Sequence, residues 1–327
     1  MKLKTVLTLR KPLLFLALIV LVCSCDQKQK EKQDSSREEV VEKLPFFKLS
    51  LAQWSLHKAM KDDNTIDPID FAQKASEMGF EGLEYVSQLY NKKLETIGMD
   101  ALLDSLKAQS NHYGMKNLLI MVDGEGDLAS PEEAKREEAV ENHKKWVDAA
   151  AFLGCHSIRV NLFGTMDAEV WKETAQDGLS KLAGYAKEKN INVIVENHGY
   201  LSSNAALLVE VIEGVNATNC GTLPDFGNFC LKREGGELWN AACVEEYDKY
   251  KGVKEMMPFA KAVSAKSHDF DENGNETGID YMKMLQIVKD AGYTGYIGVE
   301  YEGSILNEVD GIEATKKLLI NASKNLN

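Results

Sequence analysis

Gly79-Phe80-Glu81-Gly82-Leu83-Glu84 is echoed far along the chain by Gly292-Tyr293-Thr294-Gly295 followed by Ile297-Gly298-Val299-Glu300. Each copy reads as helix end, turn, short strand and terminal carboxylate. Between them, short apolar runs alternate with amphipathic stretches, the pattern of βα units that feed a parallel sheet. The candidate strands are Phe47 to Gln53, Gly82 to Tyr85, Asn117 to Val122, Ser157 to Asn161, Asn192 to Glu196, Gly221 to Asp225, Ala262 to Lys266 and Tyr296 to Glu300. An eightfold repeat predicts a closed α/β (β/α)8 TIM barrel. An open doubly wound sheet comes second, because no glycine-rich phosphate fingerprint follows the first strand.

The intervening helices carry their own punctuation. Ser130-Pro131-Glu132-Glu133 offers a capping serine, a proline at the first helical position and a glutamate three residues after the cap, and Gly154 closes the helix. Asp67-Pro68 opens another, which Gly79 ends. Ile279, Met282, Leu285 and Val288 mark one buried face of a further helix closed by Gly292.

Lys2, Lys4, Arg10 and Lys11 lead into the apolar run Leu13 to Val22, which is short for a membrane span. The run ends in Val22-Cys23-Ser24-Cys25, a small residue directly before a cysteine, and this resembles the lipobox of bacterial lipoproteins. The expected organisation is a lipoprotein signal peptide over 1–25, a charged tether over 26–45 and one catalytic barrel over 46–327. An ordinary cleaved signal and a retained anchor are the alternatives. The reading predicts an exported chain, lipid-anchored and facing the periplasm or cell surface, that touches the membrane only through that anchor.

The net charge is -13, and more negative still without the cationic leader, which argues against nucleic acid as a partner. Export permits disulfides: Cys230 and Cys243 lie in one apparent loop and either pair or remain free thiols. Cys155 and Cys220 sit beside apolar runs as core residues.

In a barrel of this kind the active site lies at the carboxyl ends of the strands. Glu196, Asp225, His268 and Glu300 end or follow four successive candidate strands, at intervals of 29, 43 and 32 residues. The long middle interval holds the loop Asn228 to Asn240. Four ordinary strand-end residues pairing with lysines and arginines would explain one or two such positions; a run of four calls for a shared compensating charge, which a dication supplies. Three carboxylates and one imidazole suit Mn2+, Mg2+ or Co2+ more than structural zinc, with Zn2+ still possible at such a site.

Ile194-Val195-Glu196-Asn197-His198, Pro224-Asp225-Phe226-Gly227-Asn228, Ala265-Lys266-Ser267-His268-Asp269-Phe270-Asp271 and Gly298-Val299-Glu300 together resemble the xylose isomerase-like TIM barrel family of sugar phosphate isomerases and epimerases, over Phe47 to Leu319. The resemblance implies that Glu196, Asp225, His268 and Glu300 hold one divalent metal ion. It also implies that Glu196 and Glu300 exchange protons with opposite faces of a sugar next to its carbonyl. One departure is Asn228, where the epimerases place a histidine; an amide hydrogen-bonds a hydroxyl but shuttles no proton.

Further substrate-binding candidates carry structural alternatives. Trp54 and His57 follow the first strand, to stack on a sugar and bond a hydroxyl, or to pack the rim. Glu84 ends the second strand, to hold a hydroxyl or form a rim ion pair. Arg159 and Asn161 alternate along the fourth strand toward the mouth, with Arg159 equally placed to pair with a buried carboxylate. His198 is either an acid-base group or an orienting donor, and Lys266 either polarises a substrate oxygen or neutralises the acidic cluster. His112, His143 and His156 read as surface or packing residues.

The leading function is metal-dependent isomerisation or epimerisation of an unphosphorylated sugar. A lyase or hydratase of 3-keto-glycosides shares the first proton abstraction, and a sugar-binding lipoprotein without catalysis is the third reading. An apurinic endonuclease is disfavoured by the charge and the few histidines. The segment Phe229 to Lys251 reads as a lid or as a contact in a homo-oligomer.

Overall fold

Each expected strand forms, and most are rich in β-branched and aliphatic residues bounded by turn residues. The structure, a computed structural model, describes residues 44–326, so the expected signal peptide, its lipobox cysteine and most of the tether lie outside the described residues. The barrel strands are β1 (Lys48–Ala52), β2 (Gly82–Val86), β3 (Lys116–Met121), β4 (Ser157–Val160), β5 (Asn192–Glu196), β6 (Cys220–Leu223), β9 (Val263–Ser267) and β10 (Tyr296–Tyr301). They pair in parallel in the order β6-β5-β4-β3-β2-β1-β10-β9.

The two ends of that order meet through isolated parallel bridges, Thr222 with Ala260 and Asp225 with Ser264. Pro224 has no N–H to donate, which stops a regular ladder after Leu223. Instead its carbonyl accepts from Ser264 N at 2.9 Å, and Phe226 N donates to Ser264 O at 3.1 Å. The seam that closes the barrel therefore holds Asp225 in place.

Helices α1 (Phe71–Glu77), α2 (Asn91–His112), α3 (Glu133–Leu153), α4 (Ala168–Glu188), α5 (Ala205–Val215), α6 (Lys249–Met256), α7 (Tyr281–Asp290) and α8 (Glu308–Lys324) form the outer layer. Along each strand, alternate residues face the helices. Leu51, Leu83, Ile158, Val193, Val195, Ile297 and Val299 make that interface and are fully buried. Helix α3 starts two residues later than the capping pattern predicts: Ser130 Oγ accepts from Glu132 N at 3.3 Å and shapes the approach, while Glu132 is the cap. Gly154 ends the helix in the left-handed conformation as expected, at φ 81°.

The segment read as a plain loop after Asn228 contains an antiparallel hairpin, β7 (Cys230–Arg233) with β8 (Cys243–Glu246). Cys230 and Cys243 are disulfide-bonded across it, which settles the alternative the sequence leaves open. Cys155 and Cys220 are buried free thiols, as read. No helix of the described residues is long and apolar enough to cross a membrane.

Candidate active site

Glu196 is the last residue of β5, Glu300 the penultimate residue of β10, and Asp225 sits at the barrel seam beyond β6. Their carboxylate oxygens lie within 4.8 Å of one another, and all three side chains are buried. Among the described residues this is the one such cluster of potential metal ligands.

Their hydrogen bonds show what the cluster lacks. Ser264 Oγ lies 2.6 Å from Asp225 Oδ2 and 3.0 Å from Glu300 Oε2, yet a hydroxyl carries one hydrogen and can serve only one of these two oxygens at a time. Asp225 Oδ1 accepts from Gly227 N at 2.9 Å and Asn228 N at 2.8 Å, while Asn228 Nδ2 donates to Glu196 Oε1 at 3.0 Å. Glu196 Oε2 is buried without a hydrogen bond. Arg159 Nε stands 2.9 Å from it, but that N–H also finds no aligned acceptor, so the contact is one of charge alone. A cation among these oxygens would satisfy the orphaned atom and the unserved lone pairs together.

Electrostatics leads to the same conclusion. Burial, joined by repulsion from Glu196 and Glu300, pushes the Asp225 carboxyl up to about 8 against the pull of Lys266. Burial also raises Glu300, again opposed by Lys266. Lys266 Nζ lies 3.2 Å from Glu300 and 2.6 Å from Glu302, so it pairs with acidic neighbours. Although burial pushes Glu302 upward, Lys266 holds it down to about 2. Gly227 makes room for this lysine, since a Cβ there would meet Lys266 Cγ at 2.7 Å.

A second network runs along the next strands. Arg159 Nη1 donates to Asp123 Oδ1 at 2.9 Å, and Asn161 Nδ2 donates to the same oxygen at 2.7 Å. With its amide nitrogen so committed, Asn161 presents Oδ1 to His198 Nδ1 at 2.8 Å. Nδ1 of His198 therefore carries the proton and Nε2 keeps its lone pair. Burial, with Arg159 and Lys266 nearby, lowers His198 to about 4, so the ring is neutral at physiological pH.

Asp123, Arg159, Asn161, His198, Asn228, Glu300 and Glu302 line one cavity of about 1110 Å³, whose walls also include Trp54, His57, Gln88, Phe163, Trp239 and His268; Glu196 and Asp225 are not among its lining residues. Trp54 and His57 stack on each other at 4.4 Å between centroids, and His57 Nδ1 is 2.7 Å from Trp54 O.

Comparison with known proteins places this geometry. The family model described as xylose isomerase-like TIM barrel matches residues 72–322. The chain belongs to the xylose isomerase-like TIM barrel family. Among solved structures, an L-ribulose 3-epimerase is similar at a TM-score of 0.65 and 14% identity, over 84% of this chain and 95% of that one. A 3-keto-D-glucoside 4-epimerase from E. coli matches at 0.62 and 14%, over 84% and 98%. A xylose isomerase-like TIM barrel protein from Mycobacterium smegmatis, in complex with magnesium, matches at 0.58 and 16%, over 86% and 98%. By sequence, the chain is 39% identical over 66 residues to the alpha subunit of a C-glycoside deglycosidase from Arthrobacter globiformis, a stretch that spans 19% of either chain.

Two positions differ from the sequence reading. His268 lines the cavity but stays outside the carboxylate cluster: its side chain is 49% exposed and Nδ1 lies 3.9 Å from Glu276 Oε1. Glu276, on the loop that follows, is itself held by Gly278 N and Ile279 N. Glu84 neither lines the cavity nor pairs at the rim. It is buried inside the barrel, where Oε1 accepts from Ser50 Oγ at 2.6 Å, Oε2 has no partner, and burial with Glu300 and Glu196 nearby pushes it up to about 8. Gly298 admits it, since a Cβ there would meet Glu84 Oε2 at 2.4 Å.

Asp123 and Glu302 are cavity residues that sequence reasoning missed, whereas Trp239 comes from the segment read as a lid or a subunit contact. Asp123 follows the strand run Leu118 to Val122 and carried the same strand-end signal as Glu196. His143 is a buried packing residue, its Nδ1 2.7 Å from Ala139 O, in keeping with its sequence reading.

Proposed function

We propose that this chain is a divalent-metal-dependent enzyme that removes the proton next to the carbonyl of a sugar, an isomerase or epimerase of an unphosphorylated sugar. The observation that carries the reading is the convergence of Glu196, Asp225 and Glu300 within 4.8 Å, with Glu196 Oε2 left without a hydrogen bond. Three oxygen donors fit Mn2+, Mg2+ or Co2+, and the magnesium complex of the M. smegmatis relative supports an ion of that kind. His268 supplies a fourth ligand if its ring turns from Glu276 into the cavity. When bound, the dication would polarise the sugar carbonyl and stabilise the charge that develops on its oxygen.

The chain's own residues would then move the proton and hold the substrate. Glu300, raised by burial and restrained by Lys266, can hold a proton closer to neutral pH than an ordinary glutamate, as a group that both takes and gives one must. Glu196 stands across the cluster as its counterpart. His198 Nε2 and the Asn228 amide would bond substrate hydroxyls, and the stacked Trp54 and His57 would offer an apolar wall to a sugar face.

A keto-glycoside lyase using the same first step is the second reading, favoured by the short match to the deglycosidase subunit. The charged leader and the Cys230–Cys243 disulfide support export to an oxidising compartment with Cys25 as lipid anchor.

Proton NMR in heavy water with the manganese-loaded protein tests the proposal on free ketoses, aldoses and 3-keto-glucosides. Deuterium entering at the carbon beside the carbonyl, lost in Glu300→Gln, is the expected result; release of the aglycone after exchange would select the lyase. Binding without exchange would overturn catalysis.

A further inference from the structure

The hairpin and the loop it encloses bring Cys230, Arg233, Trp239, Asn240, Ala241 and Ala242 to the cavity wall. The disulfide joins β7 to β8 at a Cα separation of 5.8 Å, and the enclosed loop contributes Trp239 to the cavity wall. Tyr200 OH donates to Gly236 O at 2.7 Å and ties the loop to the β5 side of the barrel. Trp239 lies 4.8 Å from the His198 ring and 6.3 Å from Phe163, which it meets edge-on at 82°. It remains 37% exposed, although burial is the rule for a tryptophan held among aromatic neighbours.

The volume calls for an occupant of that space. At about 1110 Å³ the cavity exceeds the upper end of the range of about 300–1,000 Å³ that accommodates drug-sized ligands, so one pyranose ring leaves much of it empty. Glu300, the member of the carboxylate cluster that lines the cavity, marks one pole of it; the wall of Phe163, His198 and Trp239 is another. His198, with its open Nε2, is shared between them.

We infer that Trp239, presented by the disulfide-clamped hairpin, is a stacking platform for a second ring, so that the ligand is a glycoside whose aglycone is an aryl group or another sugar, and not a free monosaccharide. The inference rests on the reading of the carboxylate pole as a sugar site. An aromatic or pyranose face stacks on an indole whatever its substituents. The disulfide keeps the platform ordered before the ligand arrives, which lowers the entropy lost on binding.

Calorimetric titration of the full, manganese-loaded chain tests this with methyl, p-nitrophenyl and β-D-glucosyl glycosides of 3-keto-β-D-glucose. The p-nitrophenyl or the disaccharide ligand is expected to bind about tenfold more tightly than the methyl ligand, in line with an aromatic contact. The ratio should fall to about one in Trp239→Ala, persist in Trp239→Phe, and fall when Cys230 and Cys243 are both replaced by serine. Which of the two ligands gains identifies the aglycone. A ratio of one in the wild type, or an unchanged ratio in Trp239→Ala, overturns the inference. If the wild type shows the ratio but no deuterium exchange, the platform stands and the catalytic reading falls.

Discussion

Glu84 is a buried carboxylate with one oxygen unpartnered, and its replacement by glutamine should make the protein more stable at alkaline pH. Burial raises its carboxyl from 4.5 to about 8. Because the folded value lies above the unfolded one, the protonated form is the one that folding favours. The stability it confers is complete below about pH 4.5 and is lost as pH rises through 8. At about 1.4 kcal/mol per pH unit, the rise corresponds to about 5 kcal/mol, an upper bound if water enters near the ionised group. Glu84→Gln mimics the neutral form and does not titrate. Urea unfolding in EDTA should find the variant within about 1 kcal/mol of wild type at pH 5 and several kcal/mol more stable at pH 9. Asp225 titrates in both proteins, so the difference between the two curves reports Glu84. Parallel curves from pH 5 to 9 would refute the buried, unpaired placement of this side chain.

Arg159→Met should destabilise by about 3–5 kcal/mol, because Asp123 and Glu196 lose their shared cation; a loss below 1 kcal/mol on thermal unfolding would contradict that pairing. His198 should remain neutral on lowering pH until about 4, as burial and the nearby Arg159 and Lys266 dictate. Its folded value lies below the unfolded one, so its share of stability is present above about 6.5 and is lost as pH falls through 4. Nitrogen-15 NMR of the ring checks this; an ordinary titration near 6.5 would count against the Asn161-anchored tautomer.

Much of the barrel was legible because strand and turn chemistry are local. The paired glycine-carboxylate units at Glu84 and Glu300, the aspartate cap at Asp67 and the glycine stop at Gly154 each fix an element without help from afar. Glu196, Asp225 and Glu300 could be found for the same reason: in a parallel barrel, the last residue of a strand has one place to go. What stayed hidden depends on contacts between distant segments. Asp123 and Glu302 are strand-end carboxylates like the others, but the cations they neutralise, Arg159 and Lys266, lie 36 residues away in each case. Glu84 shares the strand-end signal yet points to a layer beneath the cavity, decided by the missing side chain of Gly298. The hairpin escaped notice because Cys230–Arg233 and Cys243–Glu246 are short and polar, and the disulfide, not an apolar face, holds them together. His268 shows the limit from the other side, since a neighbouring carboxylate, Glu276, competes for its ring.

Manganese binding most directly tests the claim that Glu196, Asp225 and Glu300 form a metal centre. Electron paramagnetic resonance titration of EDTA-stripped protein should show one Mn2+ taken up per chain, with affinity at least about tenfold weaker in Asp225→Asn, a change of about 1.4 kcal/mol or more. Uptake that is equal in wild type and variant, or absent from both, would contradict it.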